Sequence, residues 1–203
     1  MTFDGAGSLT AQDMIKINGD ISQRTGAGSY TVNPSCTGSA ILDDDFAGFA
    51  FDFMIIPGTG GSEFSFLVTN QGAVQSGDAS KTDDKGCSDA SLIGMYRVVS
   101  SGSSLDLGQF AAVGLRILDG AGHLTRADTT QSRNGDIGRS MGLTAKYAVN
   151  SDCTVTEQFE TGSAFEGVVV AEGREAYFLQ TAPPNTIAGV VQYKKQSRHQ
   201  EDD

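Results

Sequence analysis

Apolar and polar residues trade places in short runs along most of this chain. In "LTAQDMIKI" (9–17), Leu9, Ala11, Asp13, Ile15 and Ile17 share one face at a period of two, and Thr10, Gln12, Met14 and Lys16 share the other. Such alternation, bounded by Gly, Asn, Asp and Ser, predicts strands near 94–101, 111–118, 124–132, 142–150, 154–161, 164–171, 175–181 and 186–194. In the first half it predicts strands near 2–4, 8–17, 27–33, 37–42, 49–56 and 63–69. A seventh is predicted near 73–77, before "SGDASKTDDKGCSD" (76–89) turns polar. Short strands separated by frequent turns predict an all-β fold, an antiparallel barrel or sandwich.

The turns repeat. "FDGAGSLT" (3–10) returns as "LDGAGHLT" (118–125), and Asp-Gly between apolar runs is a hairpin signal. "NGD" (18–20) returns at 134–136, "YTVNPSCT" (30–37) as "YAVNSDCT" (147–154), and "EFSFLVT" (63–69) as "EAYFLQT" (175–181). The offset moves from 115 to 117 and back to 112, as loop insertions and deletions inside a duplicated domain would make it. The second copy offers eight strands, whereas nothing in the first corresponds to residues 90–115. The predicted organisation is a first, incomplete β unit at 1–82, a linker at 83–89, a complete eight-stranded unit at 90–196 and a polar tail at 197–203. An incomplete barrel exposes strand edges. Its strands close by themselves, borrow strands from the second unit, or take them from another chain; otherwise the sequence is a truncated piece.

The pattern FDGxGxLT, then NG, then GxYxVNxxCTG is carried here by "FDGAGSLT", "NGD" and "GSYTVNPSCTG". It resembles tandem β-barrel repeats of exported bacterial proteins of unknown function. Those repeats are similar to the calycin-like barrels that include allene oxide cyclases and dirigent proteins. The resemblance implies antiparallel calycin-like barrels of eight strands, duplicated with the first copy incomplete, and a small apolar cavity. It also implies an extracytoplasmic or cell-surface location. No catalytic motif of those enzymes falls on this sequence, so no active residue is carried over.

Composition narrows the partners. The net charge of −11, with 14 Lys and Arg, repels phosphate backbones and gives no basic patch for anionic lipid. Neither nucleic acid nor a membrane is an expected partner. The longest apolar run, "FAFDFMII" (49–56), is strand-sized, and "MTFDGAGS" carries no leader pattern. Cys36, Cys87 and Cys153 are odd in number and have no metal-type spacing, so they read as buried or half-buried thiols rather than a disulfide framework, with any pairing left open. His123 lies in a turn and His199 in the tail, which leaves no nucleophile–histidine arrangement to expect. The run Asp43-Asp44-Asp45 reads as a solvated acidic turn rather than a calcium loop, and no cofactor is expected.

The repeated polar residues are the candidates for chemistry. Asp13 and Asp128 sit on the apolar stripe of equivalent strands. Each is either a cavity carboxyl with a raised pKa, fit for acid–base work, or a group bonded to turn backbone or to an arginine such as Arg126 or Arg116. Tyr30 and Tyr147 offer apolar area and one hydroxyl for a ligand or for the core. Phe66, Phe178 and Arg126 are candidate ligand contacts. Three functions remain open: a barrel scaffold that self-associates or holds an apolar small molecule, a cyclase or isomerase of an apolar polyketide- or lipid-like substrate, and a filament subunit assembled by strand exchange.

Overall fold

The computed structural model describes residues 1–17, 20–73, 75–82, 86–104, 108–182 and 188–196. The first Asn-Gly turn, part of the expected linker, His199 and the tail 197–203 lie outside them. The chain divides into two compact units: residues 1–15 with 21–81, and residues 16–20 with those from 82 onward.

Unit 1 holds β1 (Thr2–Phe3), β2 (Ser8–Ile17), β3 (Asp20–Val32), β4 (Thr37–Leu42), β5 (Phe49–Ile55), β6 (Glu63–Val68) and β7 (Ser76–Ser80). They form one seven-stranded sheet in sequence order, antiparallel between β1 and β2 and from β3 through β7. Unit 2 holds β8 (Ile93–Ser104), β9 (Gly108–Asp119), β10 (His123–Arg133), β11 (Asp136–Val149), β12 (Thr154–Phe159), β13 (Ala164–Val170), β14 (Glu175–Ala182) and β15 (Ala188–Lys195). These eight strands close a barrel, because β8 pairs with β9 on one side and with β15 on the other. No α-helix occurs among the described residues; single 3-10 turns lie at Asp44–Phe46, Asp89–Ser91 and Ala171–Gly173. The arrangement is all-β, and a closed barrel in one unit with a curled open sheet in the other is consistent with a duplicated barrel.

The barrel interior is filled by side chains that alternate along the strands. Tyr96, Leu124, Val155, Val169, Phe178 and Tyr193 are all buried there. An eight-stranded barrel is just wide enough for such a filling.

Unit 1 buries Leu9, Ala11, Ala40, Leu42, Phe46, Phe51 and Phe53. Half-buried Phe3, Tyr30, Phe49, Phe64 and Phe66 pack against them. The rings touch edge to face: Phe3 lies 5.0 Å from Tyr30 and 5.9 Å from Phe64, and Phe51 lies 5.6 Å from Phe66. Such pairs add roughly 0.5–1.5 kcal/mol each beyond area burial.

Local geometry repeats between the units. Asp4 Oδ1 accepts the amides of Ala6 and Ser8, and Asp119 Oδ1 accepts those of Ala121 and His123. The Asn33 and Asn150 amides donate to the Thr37 and Thr154 carbonyls at 2.7 and 2.8 Å. Cys36 and Cys153 then adopt φ of 63° and 67°. Their carbonyls accept the amides of Ile55 and Val169, both at 2.9 Å.

Three expectations are corrected. The seventh strand lies at Ser76–Ser80, inside the polar stretch. Its inner face needs no large apolar residue: a Cβ at Gly77 would sit 2.9 Å from the Phe66 ring, which covers that spot. β3 begins at Asp20, well before the expected residue 27. Cys87 and Cys153 are not separate thiols but a disulfide across 66 residues, while Cys36 is free and exposed. A spacing that long in sequence carries no signal; only closure of the barrel brings the two together.

Candidate functional site

Three polar side chains meet inside the barrel. β9 brings Arg116, β12 brings Glu157 and β15 brings Tyr193. The run "TVTEQF" of β12 buries Val155, Glu157 and Phe159 on one face by strict alternation. The Tyr193 hydroxyl donates to the Glu157 carboxyl, 3.0 Å from Oε1 and 2.8 Å from Oε2. Arg116 Nη1 donates to the carbonyls of Leu115 and Asp128 and to Thr129 Oγ1, at 2.9–3.2 Å. Its guanidinium lies 5.6 Å over the Phe159 ring and 5.9 Å over the Tyr193 ring, and its Nε has no partner among the described residues.

Desolvation dominates the electrostatics. Burial pushes the Glu157 carboxyl up to about 7, against the opposing pull of the Arg116 charge and the Tyr193 hydroxyl. Burial also raises Tyr193 well above its ordinary value, and the Glu157 charge adds to that rise. A carboxyl near 7 suits general acid–base catalysis. Here, however, only 2% of Glu157 is exposed, and buried side chains surround it. A substrate atom reaches it only by displacing them, so the cluster acts within the barrel.

A second constellation closes one end of the barrel. Residues 86–92 form a strap whose Leu92 is fully buried. The Tyr147 hydroxyl donates to the carbonyls of Asp89 and Leu92, at 3.1 and 2.8 Å. The Val149 amide donates to Asp89 Oδ1 at 2.7 Å, and the Cys87 amide to the Ser151 carbonyl at 3.3 Å. The Cys87–Cys153 disulfide fixes the strap to the β11–β12 turn.

Unit 1 carries equivalents of two of these residues. Tyr30 and Cys36 occupy the positions of Tyr147 and Cys153, after the same turn. The Tyr30 hydroxyl has no partner among the described residues, and the Cys36 thiol is exposed. β7 has one hydrogen-bonded neighbour, β6. β1 pairs with β2 only at Thr2–Thr10 and Phe3–Leu9, whereas β9 pairs with β10 from Leu124 to Arg133. The polar cluster has no counterpart, because Ala40 stands opposite Tyr30 and Phe51 as Glu157 stands opposite Tyr147 and Phe165. A shallow groove of about 250 Å³ on this sheet is lined by, among others, Ser29, Tyr30, Ser39, Ile41, Phe51 and Asp52.

The residues singled out from sequence are dispersed. Asp13 takes a two-pronged bond from Arg24, at 2.9 and 2.5 Å, and Arg24 covers the Phe46 ring at 4.5 Å. Asp128 pairs with Arg126 at 2.7 Å and accepts the Gly142 amide; Arg126 and that amide lower its pKa. A register shift between Leu124 and Arg126, and another between Ala127 and Thr129, break the period of two, so Ala127 takes the buried place. Tyr147 holds the strap and Tyr30 meets Phe3 edge to face. Phe178 packs 4.6 Å from Tyr193, whereas Phe66 is half-buried in the open sheet. The acidic run is bonded: Asp44 and Asp45 accept the amides of Ala27 and Thr25.

Sequence reasoning missed Glu157, Tyr193 and the strap. The alternation in "TVTEQF" was the available signal for Glu157. No protein-family model matches the chain, and a search of curated proteins finds no match to it.

Proposed function

We propose that this chain is a β-barrel scaffold of calycin-like repeats that associates with other chains through unit 1. The observation that carries the reading is that β1 and β7 each have one hydrogen-bonded neighbour among the described residues, whereas every strand of the barrel has two. Unpaired N–H and C=O rows template strand addition unless something covers them. Unit 2 supplies the stable body: its interior polar groups are packed in rather than offered to solvent.

The half-buried rings of Phe3, Phe49, Phe64 and Phe66 favour one further reading, that the same sheet holds an apolar small molecule. Light scattering across a concentration series, with native mass spectrometry of protein purified without detergent, separates the two. Self-association is expected as mass that rises with concentration and is lost in a Thr2→Pro variant. A monomer at every concentration that carries a small bound mass would replace it with the ligand reading.

A further inference from the structure

We propose that the outer wall of unit 2 over β8 and β9 seats a second copy of this chain, packed face to face across a two-fold axis that runs along the β8–β9 seam. This face belongs to unit 2 alone, so the dimer does not depend on association through unit 1.

The apolar residues of the barrel are not all inside it. Inward and outward residues alternate along β9, and its outward row is Ala111, Val113, Leu115 and Ile117. No outward side chain between Gln109 and Asp119 is polar. Val113 is 59% exposed, and Val99, opposite it on β8, is 49% exposed. Met95 is exposed opposite Ile117, and exposed Val190 on β15 extends the patch beside Ser101. The wall elsewhere is polar. β12 turns Thr154, Thr156 and Gln158 outward, and Asp128 and Thr130 of β10 lie opposite Leu115 and Val113. That polar remainder argues against a lipid-facing barrel, whose apolar band runs round the whole circumference. A convex wall also offers no cleft to a small molecule.

Size and charge select the occupant. At about 3.3 Å per residue and 4.8 Å per strand, the patch runs about 20 Å from Met95 to Ser101 and about 15 Å from β15 to β10. Apolar surface of about 300 Å² marks an interaction site, and it is the apolar core that a standard interface of about 800 Å² per partner surrounds with a polar rim. The rim is self-complementary. Exposed Arg97 lies beside Lys194 on one flank, and Asp128 lies on the other, opposite Leu115. Within one copy Lys194 is bonded to Glu175 and Asp128 to Arg126, whereas Arg97 has no partner among the described residues. A two-fold axis along the seam exchanges the flanks. It sets Val99 of one copy against Val113 of the other and Met95 against Ile117, and it brings Arg97 of each to the Asp128 flank of its mate. An axis across the strands at this row would set the two Arg97 side chains against each other, so the charges select the seam.

The test is the mass of the full chain by sedimentation equilibrium over a concentration series. It compares the parent with Val113→Lys, Val99→Lys, Arg97→Glu and Thr2→Pro. Each substitution enters a two-fold interface twice, and lysine at either valine is expected to weaken the dimer about 100-fold. Both valines are exposed, so the urea midpoint is expected to stay unchanged; if one variant does not fold, the other carries the test. Arg97→Glu is expected to weaken the dimer and reverse its salt response. Added salt loosens the parent by screening an attraction and tightens the variant by screening a repulsion. Thr2→Pro lies in unit 1 and is expected to leave a dimer of constant mass. If Thr2→Pro abolishes all association while both lysine variants associate like the parent, this inference falls and the unit 1 reading stands. A dimer that survives Thr2→Pro and is lost in the lysine variants supports this inference, whatever becomes of growth through unit 1. A parent that is monomeric up to its solubility limit, with or without bound phosphatidylcholine vesicles, overturns both.

Discussion

Glu157 makes the barrel's stability depend on pH in the direction opposite to ordinary carboxylates. Its carboxyl sits at about 7 in the barrel against 4.5 in the unfolded chain, because burial disfavours the charged form. The folded state therefore binds a proton more tightly than the unfolded state does. The contribution is fully present below pH 4.5 and is lost as pH rises through 7. At 1.36 kcal/mol per unit, the difference amounts to about 3 kcal/mol at alkaline pH. For a domain with a urea m-value of roughly 1–3 kcal/mol/M, the midpoint falls by about 1–3 M between pH 5 and pH 8.5. The chain has no Trp, and of its 5 Tyr only Tyr30 lies outside unit 2, so tyrosine emission reports mainly on the barrel. The assay is urea unfolding at a series of pH values, on the parent and on Glu157→Gln. Gln cannot titrate, so the variant is expected to lose the alkaline slope even though its amide is imperfectly accommodated. A parent midpoint that is flat or rising over this range, or an equal slope in the variant, would refute the reasoning.

Other perturbations test the neighbouring constellations. Tyr147→Phe removes two bonds to the strap carbonyls and is expected to cost about 1–3 kcal/mol in urea unfolding. Tyr30→Phe, which removes none among the described residues, is expected to leave the midpoint nearly unchanged. Cys87→Ser opens a loop of 66 residues and is expected to lower barrel stability by about 4 kcal/mol in the chain-entropy account, read by the same unfolding assay. Leu92→Ala empties the plugged end of the barrel, with an expected cost of about 2–5 kcal/mol. On the acid side, Asp4, Asp119 and Asp128 sit below 3.8, the first two held by backbone amides and Asp128 by Arg126 first. Their stabilisation is present above 3.8 and lost as pH falls through their folded values, so a pH scan of the thermal midpoint should peak at about pH 4, between the aspartate value of 3.8 and the Glu157 value of 4.5 in the unfolded chain.

Local pattern was legible where one residue type decides the backbone. Asp4-Gly5 and Asp119-Gly120 marked their turns, and the alternation of β4 and β12 marked their buried faces. What the sequence hid depends on groups far apart along it. β7 reads as polar because Phe66 on the neighbouring strand supplies the apolar cover that Gly77 lacks. The Asp13 and Asp128 stripes read as interior because alternation ignores the register shifts beside Ala127 and the arginines that meet each carboxylate. Glu157 was passed over because a charged residue is assumed to face water, although its own strand placed it between Val155 and Phe159.

The two sheets also show how one pattern supports a closed interior and an open one. Register places Phe53 where the barrel has Gly167, and Phe64 where it has Ala176. It places Ala40 where the barrel has Glu157, and Ala79 where it has Tyr193. Large and small residues have changed places strand by strand. In the barrel, bulk comes from Tyr193 and Glu157, which reach across a closed lumen and satisfy each other. In unit 1 the bulk sits on β5 and β6 as aromatic rings that pack laterally along one sheet. Lateral packing needs no opposite wall, so the described residues of unit 1 keep a core without closing a barrel. A Glu at Ala40 would find neither Tyr193 nor a closed lumen, and the open sheet would gain a charge among its aromatic rings. The absence of the polar cluster from unit 1 therefore goes with an interior that packs laterally along one sheet instead of across a lumen.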